Sequence, residues 1–158
     1  MQLLSKNMTE KFAMEILSWQ YTKPYDFYNN ELTSEAIKEM LEESYYAIVD
    51  CNDELIGFFC IGKSAQVPVG NQYGAYVEDF VDVGLGMNPV FTGKGNGFRF
   101  FSYILRAIQE SFPAKDIRLT VATFNERAIH LYEKLGFSKE VKFHTDTAEF
   151  ITMVKQVK

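Results

Sequence analysis

Only two cysteines occur in the 158 residues, Cys51 and Cys60, and their nine-residue step fits neither a CxxC redox motif nor a zinc knuckle. Reduced, structural thiols are expected. Histidine is equally scarce: His130 and His144 are the two present and fall on different predicted elements, which argues against a metal site. Basic charge is short as well. Sixteen Lys and Arg against twenty-one Asp and Glu leave a formal charge of −5, the wrong sign for a nucleic-acid binder. A cationic or neutral partner fits better. No apolar run approaches the ~20 residues of a membrane span, and the opening MQLLSK has no basic region followed by a long apolar segment. Neither membrane association nor a signal peptide is expected, and a cytoplasmic location follows.

The chain does have apolar content, 47%, enough to exclude disorder. Its length points to a single domain spanning 1–158 that needs no metal or disulfide to hold its core. Fourteen Phe, nine Tyr and one Trp make it rich in aromatics; these either fill the core or in part line a pocket.

Periodicity gives the organisation. A strand over 1–4 precedes a helix capped by Thr9 with Phe12, Ala13, Ile16, Leu17 and Trp19 inward. An aromatic loop over 21–30 follows, then a helix capped by Thr33 with Ile37, Met40 and Leu41 inward. Strands over 45–49 and 55–61, joined at Asn52 and Asp53, form an antiparallel hairpin. A connection over 63–74 leads to a strand over 76–87, halted by Asn88 and Pro89. Glycines 93, 95 and 97 open a long helix with Phe98, Phe101, Leu105, Ile108 and Phe112 inward, ended by Pro113. A strand around Ile117, Leu119 and Val121 alternates with Arg118 and Thr120; a helix capped by Asn125 stops at Gly136; a closing hairpin follows. This is an α/β domain with a mixed, mostly antiparallel sheet of about seven strands and four helices.

Two segments bear on function. Gly93, Lys94, Gly95, Asn96 and Gly97 lie where a strand hands over to a helix, whose free N–H groups and partial positive charge make an anion cradle. The run lacks the GxxxxGK of a Walker A loop and the GxGxxG of a dinucleotide fold. Residues 125–137 alone read as a well-capped amphipathic helix, with Tyr132 at the core edge. Taken with the glycine loop about thirty residues upstream, the pattern Asn-x-x-Ala-x-x-Leu-Tyr-x-x-x-Gly-Phe resembles the GNAT superfamily of acetyl-CoA-dependent N-acetyltransferases. The resemblance covers nearly the whole chain and implies a splay between the fourth and fifth strands that admits the pantetheine arm. Thr92 departs from the family's usual Gln or Arg, which leaves the amides of 93–97 to hold the pyrophosphate. Asn96 replaces a usual aliphatic residue.

The resemblance implies acetyl-CoA as co-substrate, held by Leu85, Gly86 and Met87 of the fourth strand, by residues 92–97 and by Asn125. Tyr132 matches the tyrosine that protonates the departing thiolate; a phenol near 10 donates to a thiolate near 8.5 without itself being ionised. For the base, Glu78, Asp79 and Asp82 precede the loop. Alternation puts Glu78 and Asp82 on one face and Asp79 on the other, and Asp82 is the first choice. These acids otherwise only give the cleft a negative potential. Because the first two helices wall the acceptor site in GNAT proteins, Trp19, Tyr21, Tyr25, Phe27 and Tyr28, with Glu78, are the acceptor-side candidates, plain packing being their alternative. The acceptor is an amine-bearing small molecule or a peptide N-terminus, and the protein a monomer or homodimer. Two competing functions are a non-catalytic acyl-CoA binding module and a protein-interaction domain with a vestigial nucleotide site.

Overall fold

The computed structural model describes residues 2–157. Among the described residues, seven strands and four α-helices follow one another as β1 (Leu4–Asn7), α1 (Glu10–Leu17), α2 (Ser34–Glu42), β2 (Tyr45–Val49), β3 (Leu55–Ile61), β4 (Val81–Met87), α3 (Gly97–Ser111), β5 (Ile117–Ala122), α4 (Glu126–Lys134), β6 (Ser138–His144) and β7 (Glu149–Lys155), with short 3-10 turns between. The strands form one open sheet in the order β1-β2-β3-β4-β5-β7-β6. β4 and β5 are parallel, and the β1/β2, β2/β3, β5/β7 and β6/β7 pairs are antiparallel. The fold is thus the mixed, mostly antiparallel α/β arrangement that the periodicity predicts. The parallel ladder runs only from Val81↔Ile117 to Val83↔Leu119, although β4 continues to Met87 and β5 to Ala122.

Two compact units emerge from the chain's contacts, one of residues up to Cys60 with Leu85–Phe100, the other of Ile61–Gly84 with residues from Phe101 onward. In the first, α1 and α2 are capped by the hydroxyls of Thr9 and Thr33, which accept from Phe12 N and Ala36 N. Ala13, Ile16, Leu17 and Trp19 pack with Met40, Ala47, Val49 and Leu55 as its core. β3 and β4 approach closely in this unit. A Cβ on Gly57 would overlap the Phe100 ring and come within 2.5 Å of the Gly86 carbonyl oxygen, so no side chain fits there. In the second unit, Asn125 Oδ1 caps α4 at Ala128 N, and Gly136 ends that helix at φ +98°. Phe101, Tyr132 and Phe137 form one aromatic group there; Tyr73, Phe143 and Phe150 form another.

Five expectations change. The first strand lies at Leu4–Asn7 rather than 1–4, of which Met1 falls outside the described residues. β4 starts at Val81, five residues later than the alternation suggests. Phe98 is exposed because α3 begins at Gly97, which puts Phe98 in the first turn, short of the stripe of Phe100, Phe101, Ile104, Leu105 and Ile108; Phe112 lies past the helix end. Leu41, one step round α2 from buried Met40, is exposed as well. Cys51 is exposed and Cys60 buried, and neither forms a disulfide among the described residues. Among the described residues, no helix is long and apolar enough to cross a membrane.

Candidate active site

The glycine loop is shaped by its own side chains. β4 ends where Asn88 donates from its backbone N to Ile56 O at 2.8 Å and from Nδ2 to Leu55 O at 3.0 Å. Its Oδ1 accepts from Val90 N and starts the 3-10 turn Pro89–Phe91. Thr92 Oγ1 donates to Pro89 O at 2.9 Å, so this hydroxyl is committed to closing the turn. Asn96 Nδ2 donates to Phe91 O at 3.0 Å, and its own carbonyl accepts from Phe100 N, the first bond of α3. That accounts for asparagine where an aliphatic residue could not tie the loop. Gly93 and Gly95 have φ of +70° and +78°, values that a Cβ disfavours. Among the described residues, the amides of Gly93, Lys94, Gly95, Asn96 and Gly97 donate to no backbone carbonyl. Four of these amides precede the 15-residue α3 and the fifth, that of Gly97, opens it, and a Cβ placed on Gly95 would meet nothing within 4 Å. Such a row suits an anionic group such as a pyrophosphate.

The aromatic loop is anchored to the end of the same strand. Tyr21 donates its hydroxyl to Met87 O at 2.7 Å, while its backbone N donates to Asn29 Oδ1 at 2.8 Å. Burial pushes the Tyr21 phenol up to about 12. Trp19 is buried, its ring centroid 6.4 Å from that of Phe58. Tyr25 and Tyr28 lie in a 3-10 turn and are half-buried. Phe27 is exposed, edge-on to Tyr28 at 5.2 Å. Leu85, Gly86 and Met87 are half-buried.

In the second unit the carboxylates take different parts. Asp82 is buried, and both of its oxygens are engaged. Oδ1 accepts from Arg118 Nε at 2.7 Å; Oδ2 accepts from Arg118 Nη2 and Gln66 Nε2, each at 2.9 Å. Glu78 accepts from Arg118 Nη1 at 3.2 Å and keeps 58% of its side chain exposed. Asp79 pairs instead with Lys115 at 2.8 Å. The two-face parity of these acids is therefore as the alternation implies, although Glu78 and Asp79 precede the strand. Arg118, buried on β5 opposite Asp82, has its guanidinium over the rings of Tyr76 and Phe80 at 5.1 and 5.2 Å. Desolvation works against its charge, but the hydrogen bonds and charge of Asp82, and then Glu78, outweigh it and raise its pKa. Tyr76 shares a 2.8 Å hydrogen bond with Thr120 and is raised mainly by burial.

Sequence reasoning missed Arg118, Gln66 and Tyr76 as a group. The available signal was an arginine between Ile117 and Leu119 on an interior strand, a position that requires a carboxylate partner. Tyr132 is buried with its ring 5.1 Å from that of Phe101 and 6.2 Å from that of Phe137. His130 is exposed, as its helical position predicts.

Against known proteins, the family model described as "Acetyltransferase (GNAT) family" matches residues 11–137. No curated protein sequence matches. Among solved structures, an acetyltransferase (GNAT family) from Bacillus anthracis superposes with a TM-score of 0.73 at 14% identity, covering 99% of this chain and 95% of that one. A chimera of the spermidine N-acetyltransferase SpeG of Vibrio cholerae and hSSAT gives 0.71 at 18% identity, covering 99% and 96%. A structure provisionally named phosphinothricin N-acetyltransferase gives 0.73 at 16%, covering 99% of each chain. These likenesses show a shared fold.

Proposed function

The chain belongs to the GNAT acetyltransferase family, and from that premise we propose that it moves the acetyl group of acetyl-CoA to a primary amine by direct attack in a ternary complex. The observation that carries this reading is the row of amides at 93–97, which have no backbone acceptor and open a 15-residue helix. They would hold the pyrophosphate, with Lys94 adding a cation. The backbone of Leu85, Gly86 and Met87 would meet the pantetheine amides and the thioester carbonyl. Tyr132 is the acid for the leaving thiolate. Asn125 contributes by fixing the start of α4, since its side chain is engaged as the cap. Acetyl-CoA supplies the activated acetyl group; the chain binds it, orients the amine and manages two protons.

On the acceptor side, Glu78 is the exposed carboxylate that draws in and relieves a cationic amine, and Tyr25, Phe27 and Tyr28 offer apolar contact. Asp82, closed in by Arg118 and Gln66, takes a positioning role in place of the base. The net charge of −5 favours a cationic acceptor, and the spermidine named for one similar structure is of that kind. The test is thiol release from acetyl-CoA over polyamines, aminoglycosides and peptide N-termini, with a thermal melt alongside. Acetyl-CoA at 100 times its Kd should add about 2.7 kcal/mol of stability. Stabilisation without thiol release would mark a binding module, and neither effect would mark an interaction domain.

A further inference from the structure

Tyr76, Glu78, Phe80 and Asp82 are alternate residues of the stretch that turns and bends into β4, and all four meet the Arg118 guanidinium. Two supply ring faces; Asp82 supplies two oxygens; Glu78 supplies a side-chain oxygen and its own carbonyl, each at 3.2 Å. The charge of Arg118 is already matched by buried Asp82. The contacts left over fall on Glu78, whose backbone lies outside any helix or strand. A lysine in place of this arginine would retain the charge but lose the planar fork that reaches several acceptors at once.

We propose that Arg118 is a positioning residue for the transfer reaction: gripping the Glu78 carboxylate and carbonyl together, it fixes an exposed acid in one orientation toward the acceptor amine. This inference rests on the amine-acetyltransferase reading. The gripped oxygen is Oε1, so the other carboxylate oxygen is the one presented to an ammonium group. Asp82 then serves to balance the guanidinium's charge and hold it in plane, and Gln66 to hold Asp82.

The test is a double-mutant cycle of Glu78→Gln and Arg118→Lys, with turnover, acetyl-CoA binding and Glu78 side-chain rotamers read by NMR three-bond couplings. Each single variant should lower kcat/KM for the amine about tenfold through acceptor KM, with acetyl-CoA KM unchanged. The double variant should be no worse than either single one. Glu78 should occupy one rotamer in the wild type and average in Arg118→Lys. Multiplied losses in the double variant, or a Glu78 that averages already in the wild type, would overturn the proposal. Should Arg118→Lys fail to fold, the neutral pair Arg118→Gln with Asp82→Asn takes its place in the cycle. If the wild type acetylates no amine, the acetyl-transfer reading fails, and the rotamer couplings still decide whether Arg118 holds Glu78.

Discussion

Asp82 and Tyr132 are both residues whose chemistry suggests catalysis, and their surroundings set what each substitution should do. For Asp82, replacement by Asn leaves a buried guanidinium with only Glu78 for charge, which costs about 3 kcal/mol when a buried pair is broken. Chemical denaturation should therefore show a large loss of stability in Asp82→Asn; lost turnover at intact stability would restore Asp82 as the base. Tyr132→Phe keeps the ring contacts to Phe101 and Phe137 and removes the hydroxyl proposed as the acid. Turnover should fall by about 10²-fold or more, with acetyl-CoA affinity within a few-fold. Unchanged turnover would take Tyr132 out of the mechanism. Tyr21 sets an alkaline limit. Its pKa rises in the folded state from 10 to about 12, so its contribution is complete below pH 10 and is lost as pH climbs from 10 toward 12. Denaturation midpoints measured over pH 9 to 11.5 should fall less steeply in Tyr21→Phe than in the wild type, and equal slopes would remove that assignment.

At the scale of elements, the glycine loop is where conformation and binding meet. Gly95→Ala adds a methyl into open space at positive φ, so the expected stability cost is about 1 kcal/mol. The residue lies in the middle of the amide row proposed to hold the pyrophosphate, and calorimetry should show acetyl-CoA affinity reduced by an order of magnitude or more. The helices were legible because their caps are local: Thr9, Thr33 and Asn125 each accept from the amide three residues on. The hairpins were legible because turn chemistry is local too. The start of β4 was not, for an instructive reason. The alternation from Tyr76 to Asp82 is real, but its first half faces a guanidinium from β5 rather than a neighbouring strand. An arginine acting at a separation of 36 to 42 residues leaves no local pattern in the segment it organises. Phe98 misleads for the opposite reason: its spacing fits the stripe of α3, and only the helix boundary at Gly97 takes it out of the core.

For the whole molecule, the aromatic content divides between packing and surface. Trp19, Phe101, Tyr132 and Phe143 are buried, whereas Phe27, Phe98 and Phe124 are exposed, so abundance alone favours neither a core nor a pocket. Charge divides in the same manner. An acidic chain can hold an anionic co-substrate where backbone amides rather than net charge provide the binding. On the proposed reading the remaining acidity acts on a cationic acceptor. Initial rates of thiol release, with acetyl-CoA and a polyamine varied together, test this account most directly. It predicts amine-dependent release with intersecting double-reciprocal lines, as direct attack in a ternary complex requires; parallel lines, or release that is indifferent to the amine, would contradict it.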